Sequence, residues 1–111
     1  MNNKRLGMQF ERDVCKMLAD KGWWVHFISP DASGAQPFDI IAVKNGQAMA
    51  IDCKTSVKRR FPISRLEDNQ ILAFEKWMAC GNLAPQVWVL YEGEIYAVLY
   101  TELKEKGIVE L

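Results

Sequence analysis

Residues 37–54, PFDIIAVKNGQAMAIDCK, read as two apolar runs joined by Asn45-Gly46. Asn-Gly favours the type I′ turn of a two-residue β-hairpin, because both turn positions need φ > 0. Such a turn pairs Lys44 with Gln47 and, working outward, sets Asp39 opposite Asp52. Side chains alternate along a strand, and cross-strand partners share a face. Asp39, Asp52 and Lys54 then lie on one face at the open end. Ile40, Ala42, Met49, Ile51 and Cys53 take the other, a core face. Two carboxylates and an ammonium on an apolar hairpin are costly unless paired or used. A metal-binding catalytic site uses all three. The Asp39–Asp52 pairing requires a ladder free of bulges.

Upstream, Ser29–Pro37 (SPDASGAQP) reads as a loop, tightest at Ser33-Gly34, where small residues let backbone and hydroxyl approach a phosphate. Trp23–Ile28 is rich in aromatic and β-branched residues and predicts a strand. Its His26 is a lone histidine and is left out of the site. Leu6, Phe10, Val14, Met17 and Leu18 recur at helical spacing over about residues 5–21, with Gly22 as the stop. Glu11 borders that apolar stripe. By itself it reads as half of a surface ion pair with Lys4 or Lys16.

Downstream, residues 54–65 (KTSVKRRFPISR) hold five basic residues and no acid, and read as a loop suited to phosphate contact. Ser64-Arg65-Leu66-Glu67 predicts a capping box with Ser64 as N-cap, opening a helix from Arg65 to Cys80 before Gly81. On it Gln70 is in line with Leu66, Phe74 and Trp77, toward the core. Gln86–Tyr91 and Glu94–Tyr100 predict a second hairpin across Gly93, Thr101 a cap for the short helix TELKEK, and Ile108–Leu111 a short edge strand. This order of elements predicts a mixed sheet with helices on its faces.

The 111 residues are expected to form one domain, 1–111, and half of them are hydrophobic and a quarter charged, a globular composition. There is no apolar run of 18 residues to cross a membrane, and MNNKRLGMQFERD lacks the apolar segment of a signal peptide. Cys15, Cys53 and Cys80 are odd in number and widely spaced, which predicts free thiols in a reducing cytoplasm. No His/Cys cluster supports a redox or zinc protein. Formal net charge is zero, but residues 1–65 carry +5 and residues 66–111 carry −5. A basic half beside clustered carboxylates is what a metal-assisted phosphodiester substrate needs. Magnesium prefers oxygen ligands and keeps several waters, so two carboxylates and a backbone carbonyl, here that of Cys53, can hold it.

The spacing of Asp39, Asp52 and Lys54 on a hairpin resembles the PD-(D/E)XK nuclease superfamily. More narrowly, the chain resembles the archaeal-type Holliday junction resolvases and their phage relatives. The matching pieces are FERDVCKML with Glu11, SGAQPFDIIAV leading into Asp39, IDCK with Asp52 and Lys54, and Gln70 on the next helix. Asp52 stands where glutamate is commoner, and Phe38 intervenes between Pro37 and Asp39. The resemblance implies a restriction-endonuclease-like fold, a central mixed β-sheet flanked by α-helices. It also implies a Mg2+-dependent endonuclease (Mn2+ substituting) that acts on branched DNA, four-way junctions above all, as a homodimer in DNA recombination and repair. The setting would be the cytoplasm of a bacterial, archaeal or phage-infected cell. Asp39, Asp52, the Cys53 carbonyl and Glu11 would hold the metal or its water. Lys54 would be the catalytic lysine and Gln70 a supporting polar residue. Ser33 and Gly34 would approach the scissile phosphate, with Lys4, Arg5, Arg12, Lys58, Arg59, Arg60 and Arg65 along the DNA. The alternatives are another nuclease of the superfamily that nicks branched DNA, and a non-catalytic DNA-binding module.

Overall fold

A computed structural model of the chain describes residues 3–29 and 36–111, with side chains from Arg5 onward. The site residues Ser33 and Gly34 and the side chain of Lys4 lie outside the described residues. Helix α1 spans Asn3–Asp20, and Gly22 follows it at φ +90°, a backbone angle that favours glycine. Strands β1 (Trp24–Phe27), β2 (Ile40–Lys44) and β3 (Gln47–Ser56) run as an antiparallel meander. Asn45 and Gly46 sit at φ 52° and 75°, and Lys44 pairs with Gln47, as the Asn-Gly turn dictates. Helix α2 (Asp68–Ala79) carries the chain from β3 to β5 (Gln86–Tyr91), which pairs parallel to β3. A parallel neighbour requires such a crossover. Strand β6 (Glu94–Leu99) closes the five-stranded sheet in the order β1-β2-β3-β5-β6.

Both faces of this sheet are covered. Phe10, Val14 and Leu18 of α1 pack on Ile40, Ala42, Met49 and Ile51. On the other face Phe74 of α2 meets Ala50, Val87, Val89 and Tyr100. Alternation along the hairpin predicts one core face, with the acids on an open one. Instead β3 is central, between β2 and β5, so the face that carries Asp52 is roofed by α2 and becomes a second core.

Three local expectations give way to tertiary packing. Helix α2 begins at Asp68 with Glu67 as N-cap, not at Arg65 with Ser64 as cap. Ile63–Arg65 instead form a 3-10 turn, and Leu66, extended at φ −87° and ψ 136°, is buried in the core. Anchoring Leu66 there delays the helix by three residues, and Gln70 becomes its N3 residue. Thr101 caps nothing: helix α3 spans Tyr100–Lys106 with Leu99 at the cap, because Tyr100 is already buried and its N–H is held 2.9 Å from the carbonyl of Pro85. The basic stretch after Lys54 is not all loop. Strand β3 continues through it to Ser56, and β4 (Arg60–Pro62) pairs antiparallel with β7 (Ile108–Glu110) in a separate two-stranded sheet. That pairing joins residues about fifty positions apart, which no local pattern announces.

Candidate active site

The site is built where the β2–β3 ladder ends. Regular pairing holds from Lys44–Gln47 to Ile40–Ile51. One step further, where a regular ladder would turn the Asp39 N–H away from β3, it bonds instead to the carbonyl of Ile51 at 3.1 Å. The Asp39 carboxylate then takes the free N–H of the opposing strand: Cys53 N donates to Oδ2 at 2.7 Å. The two aspartates therefore face each other as a distorted ladder end rather than a regular pair. In a strand a residue's N–H and C=O point to the same side, so the Cys53 carbonyl also faces β2 and Asp39.

Asp52 is fully buried under α2. Gln70 Nε2 donates to its Oδ1 at 3.0 Å. The Lys54 ammonium lies 3.2 Å from its Oδ2 but gives a hydrogen bond to Gln70 Oε1 at 3.1 Å. Asp52 Oδ2 itself accepts no hydrogen bond. A buried acceptor left with a charge contact alone is destabilising unless another ligand completes it. Burial, then the neighbouring Asp39 charge, push the Asp52 carboxyl up to about 8, with Lys54 opposing them. Gln70 has a further duty. Its Oε1 also accepts from the Glu67 N–H at 3.0 Å, so the residue that starts α2 is the one that orients Asp52 and Lys54. The signal for this was in the sequence, since Glu67-x-x-Gln70 also has capping-box spacing.

Glu11 enters from the α1 side. It is half-buried, and burial followed by the Asp39 charge raises its carboxyl to about 7. Among the described residues it forms no ion pair with Lys16, which pairs with Asp20 instead, and it lies close enough to Asp39 to feel its charge. One turn further along α1, the Cys15 thiol is raised by burial and by Glu11 and Asp39. Burial and the surrounding carboxylates likewise push up the Cys53 thiol, which makes it an unreactive filler between α1 and the sheet.

The donor chemistry fits a hard divalent cation. Two carboxylates meet at one end of a sheet, one oxygen lacks a hydrogen-bond partner, and a backbone carbonyl points the same way. Among the described residues no three His, Cys, Asp or Glu side chains form a closed cage. Glu11, expected among the metal ligands, is therefore not grouped with Asp39 and Asp52 as a third side-chain ligand. A sparse oxygen set of this kind suits magnesium, which retains water, better than zinc or calcium.

The expected DNA contacts divide. Arg5 and Arg12 are exposed on α1, and Lys58, Arg59 and Arg60 are exposed where β3 turns into β4. Arg65, also exposed, is held in place: its Nη2 donates to the Thr55 carbonyl at 2.7 Å, and its guanidinium stands 5.3 Å from the Phe61 ring centre. His26, no part of the site, is on the exposed edge strand, stacked on Trp24 at 6.1 Å. Among the described residues no helix is long and apolar enough to cross a membrane.

The chain is similar to known proteins. The family model for archaeal Holliday junction resolvase (Hjc) matches residues 2–107. The crossover junction endodeoxyribonuclease Hjc of Methanocaldococcus jannaschii is 29% identical over 72 residues, covering 65% of this chain and 51% of that protein. This chain thus spans about half the length of that curated relative. The solved structure of Hjc from Archaeoglobus fulgidus, a Holliday junction resolvase, is similar with a TM-score of 0.63 over 84% of this chain and 71% of that one. At 18% identity that likeness is one of fold, and it bears out the mixed sheet flanked by helices.

Proposed function

The chain belongs to the archaeal Holliday junction resolvase family, and from that membership we propose that it is a divalent-metal-dependent DNA endonuclease that cuts four-way junctions by phosphodiester hydrolysis. The observation that carries the proposal is Asp52: buried, its Oδ2 met by the Lys54 ammonium alone at 3.2 Å, and set beside a second carboxylate, Asp39.

Asp39, Asp52 and the Cys53 carbonyl would hold the cation, Mg2+ by preference. When bound, the cation would supply charge neutralisation at the phosphoryl group and a more acidic water. The Lys54 ammonium, fixed by Gln70, faces the charge that develops on the phosphoryl oxygens. Glu11 would steady the water from the Asp39 side. Lys58, Arg59 and Arg60, with Arg5 and Arg12 on α1, track the phosphate backbone.

Paired cutting of a two-fold junction calls for two sites, so the active species is a homodimer. The aromatic surplus supports this: Trp24 is 61% exposed on edge strand β1, and aromatics are favoured in interfaces. A gel assay tests the whole reading. A four-way junction, a flap, a nicked duplex and a plain duplex are each incubated with and without Mg2+. Symmetric paired nicks confined to the junction and dependent on Mg2+ are expected. Equal cutting of all four substrates would leave only a general nuclease, and no cutting of any would leave a binding module. A monomer by light scattering at assay concentration would remove the paired mechanism.

A further inference from the structure

Val57 is 94% exposed, the most exposed large hydrophobic side chain among the described residues. Single exposed apolar residues are ordinary on protein surfaces, but the placement of this one is not. It stands at the tip between β3 and β4, followed at once by the exposed cations Lys58, Arg59 and Arg60. The tip is braced on both legs. Lys58 N donates to Ser56 Oγ at 3.2 Å, and Ser56 Oγ donates to the Lys58 carbonyl at 2.6 Å. Arg65 is bonded to the Thr55 carbonyl at 2.7 Å, and Leu111 N donates to the Arg59 carbonyl at 2.8 Å. A β-branched side chain adds stiffness of its own. The same strand that presents Asp52 and Lys54 to the reaction thus continues into a rigid, solvent-facing valine. At about 3.3 Å per residue, Val57 lies on the order of 10 Å beyond Lys54, about three base steps of a nucleic-acid strand.

We infer that Val57 is an apolar wedge for branched DNA: it packs against base faces left unstacked at the branch point while Lys58, Arg59 and Arg60 hold the flanking phosphates. This rests on the nuclease reading above and adds a residue that selects among its substrates. A valine cannot bond to phosphate, so it gains nothing from the backbone that every DNA presents. In a continuous duplex the base faces are hidden in the stack. A branch point, where stacking is interrupted, offers the apolar surface that a valine can cover, as apolar wedge residues do in DNA-bending proteins. Cations and wedge therefore divide the work, the cations giving affinity for any DNA and the wedge giving preference for a branch.

The test is equilibrium binding of the full chain to a four-way junction and to a plain duplex of the same length, in Ca2+ to hold off cleavage, across a salt series. Val57→Ser is expected to weaken junction binding about tenfold, with duplex affinity and the slope of log K against log salt unchanged. Val57→Leu, which keeps apolar surface, is expected to retain junction preference. Thermal melting of each variant checks the fold, which an exposed tip residue leaves intact. Junction preference equal to wild type in Val57→Ser overturns the wedge alone, as does equal weakening on junction and duplex. A wild-type chain that binds junction and duplex alike overturns both the wedge and the junction reading on which it rests.

Discussion

Two carboxylates in this protein each gather a lysine and a neutral hydrogen-bond donor, and they come out opposite. Glu75 on α2 accepts from the Tyr100 hydroxyl at 2.6 Å and from Lys104 at 3.1 and 3.0 Å on its two oxygens. Those hydrogen bonds hold its carboxyl below the usual range. Asp52 has Gln70 and Lys54, yet its carboxyl is raised to about 8 and one oxygen accepts no hydrogen bond. The difference is in burial and in the second acid. Glu75 stays near water with every oxygen satisfied, whereas Asp52 is sealed beneath α2 with Asp39 against it. The first arrangement clips α2 to α3 and gives back stability. The second crowds two acids and one lysine under a helix, so that burial and the neighbouring charge disfavour the ionised form.

The comparison breaks most sharply at Asp52→Asn. Cleavage with Mg2+ should fall below detection while junction binding persists, since a metal ligand is removed and every basic side chain stays. Normal cleavage by this variant would remove the site assignment. The variant also tests the titration. In the metal-free protein Asp52 is protonated when folded up to about pH 8, but ionises near 3.8 when unfolded. The folded state thus binds the extra proton between those values, so stability falls as pH rises through that window and levels above it. Melting curves from pH 5 to 9 should show the decline in wild type and lose most of it in Asp52→Asn. A decline of the same size in both would mean that another group sets it.

Gln70→Ala comes next. It frees Lys54, strips Asp52 of its remaining donor and removes the acceptor at the α2 N-cap. Cleavage should drop about 10- to 100-fold, the usual effect of losing a partner that orients a metal ligand. Single-turnover rates at saturating Mg2+ would measure it, and an undiminished rate would make Gln70 a helix cap only. Replacing Lys58, Arg59 and Arg60 together by alanine should leave single-turnover chemistry intact at saturating protein. It should weaken DNA binding and lower the salt slope by up to about 3, near 0.9 for each phosphate the protein no longer neutralises. An unchanged slope would place the DNA elsewhere. The smallest effect belongs to the other carboxylate. Tyr100→Phe removes the hydroxyl that satisfies Glu75 and should lower Tm by roughly 5 °C, with the cleavage rate untouched. A loss of cleavage there would erase the contrast between a structural and a functional cluster.

Much of this contrast is legible along the chain, and some of it is not. Asn45-Gly46 sets the hairpin register, because few turns suit that pair, and the register brings Asp39 and Asp52 to the same end. Periodicity gives α1, with Phe10, Val14 and Leu18 as its buried stripe. Glu11 was half-legible: its place beside the stripe was visible, but its approach to Asp39 depends on how α1 docks on the sheet. Ser64 as a cap was misleading, since the same spacing rule applies to Glu67 and Gln70 and only the burial of Leu66 chooses between them.

By itself the sequence determined the hairpin, the first helix and the nearness of Asp39, Asp52 and Lys54 at one strand end, because turn chemistry and side-chain period are local properties. The tertiary structure alone decided that Asp52 is sealed rather than open. It also decided that the ladder slips at Asp39 so that its carboxylate takes the Cys53 N–H, and that the basic stretch is pinned by β7 into a rigid tip at Val57. Each of these depends on contacts between segments far apart in the chain. Burial, and with it the charge state of a carboxyl, is a property of what the rest of the fold places on top.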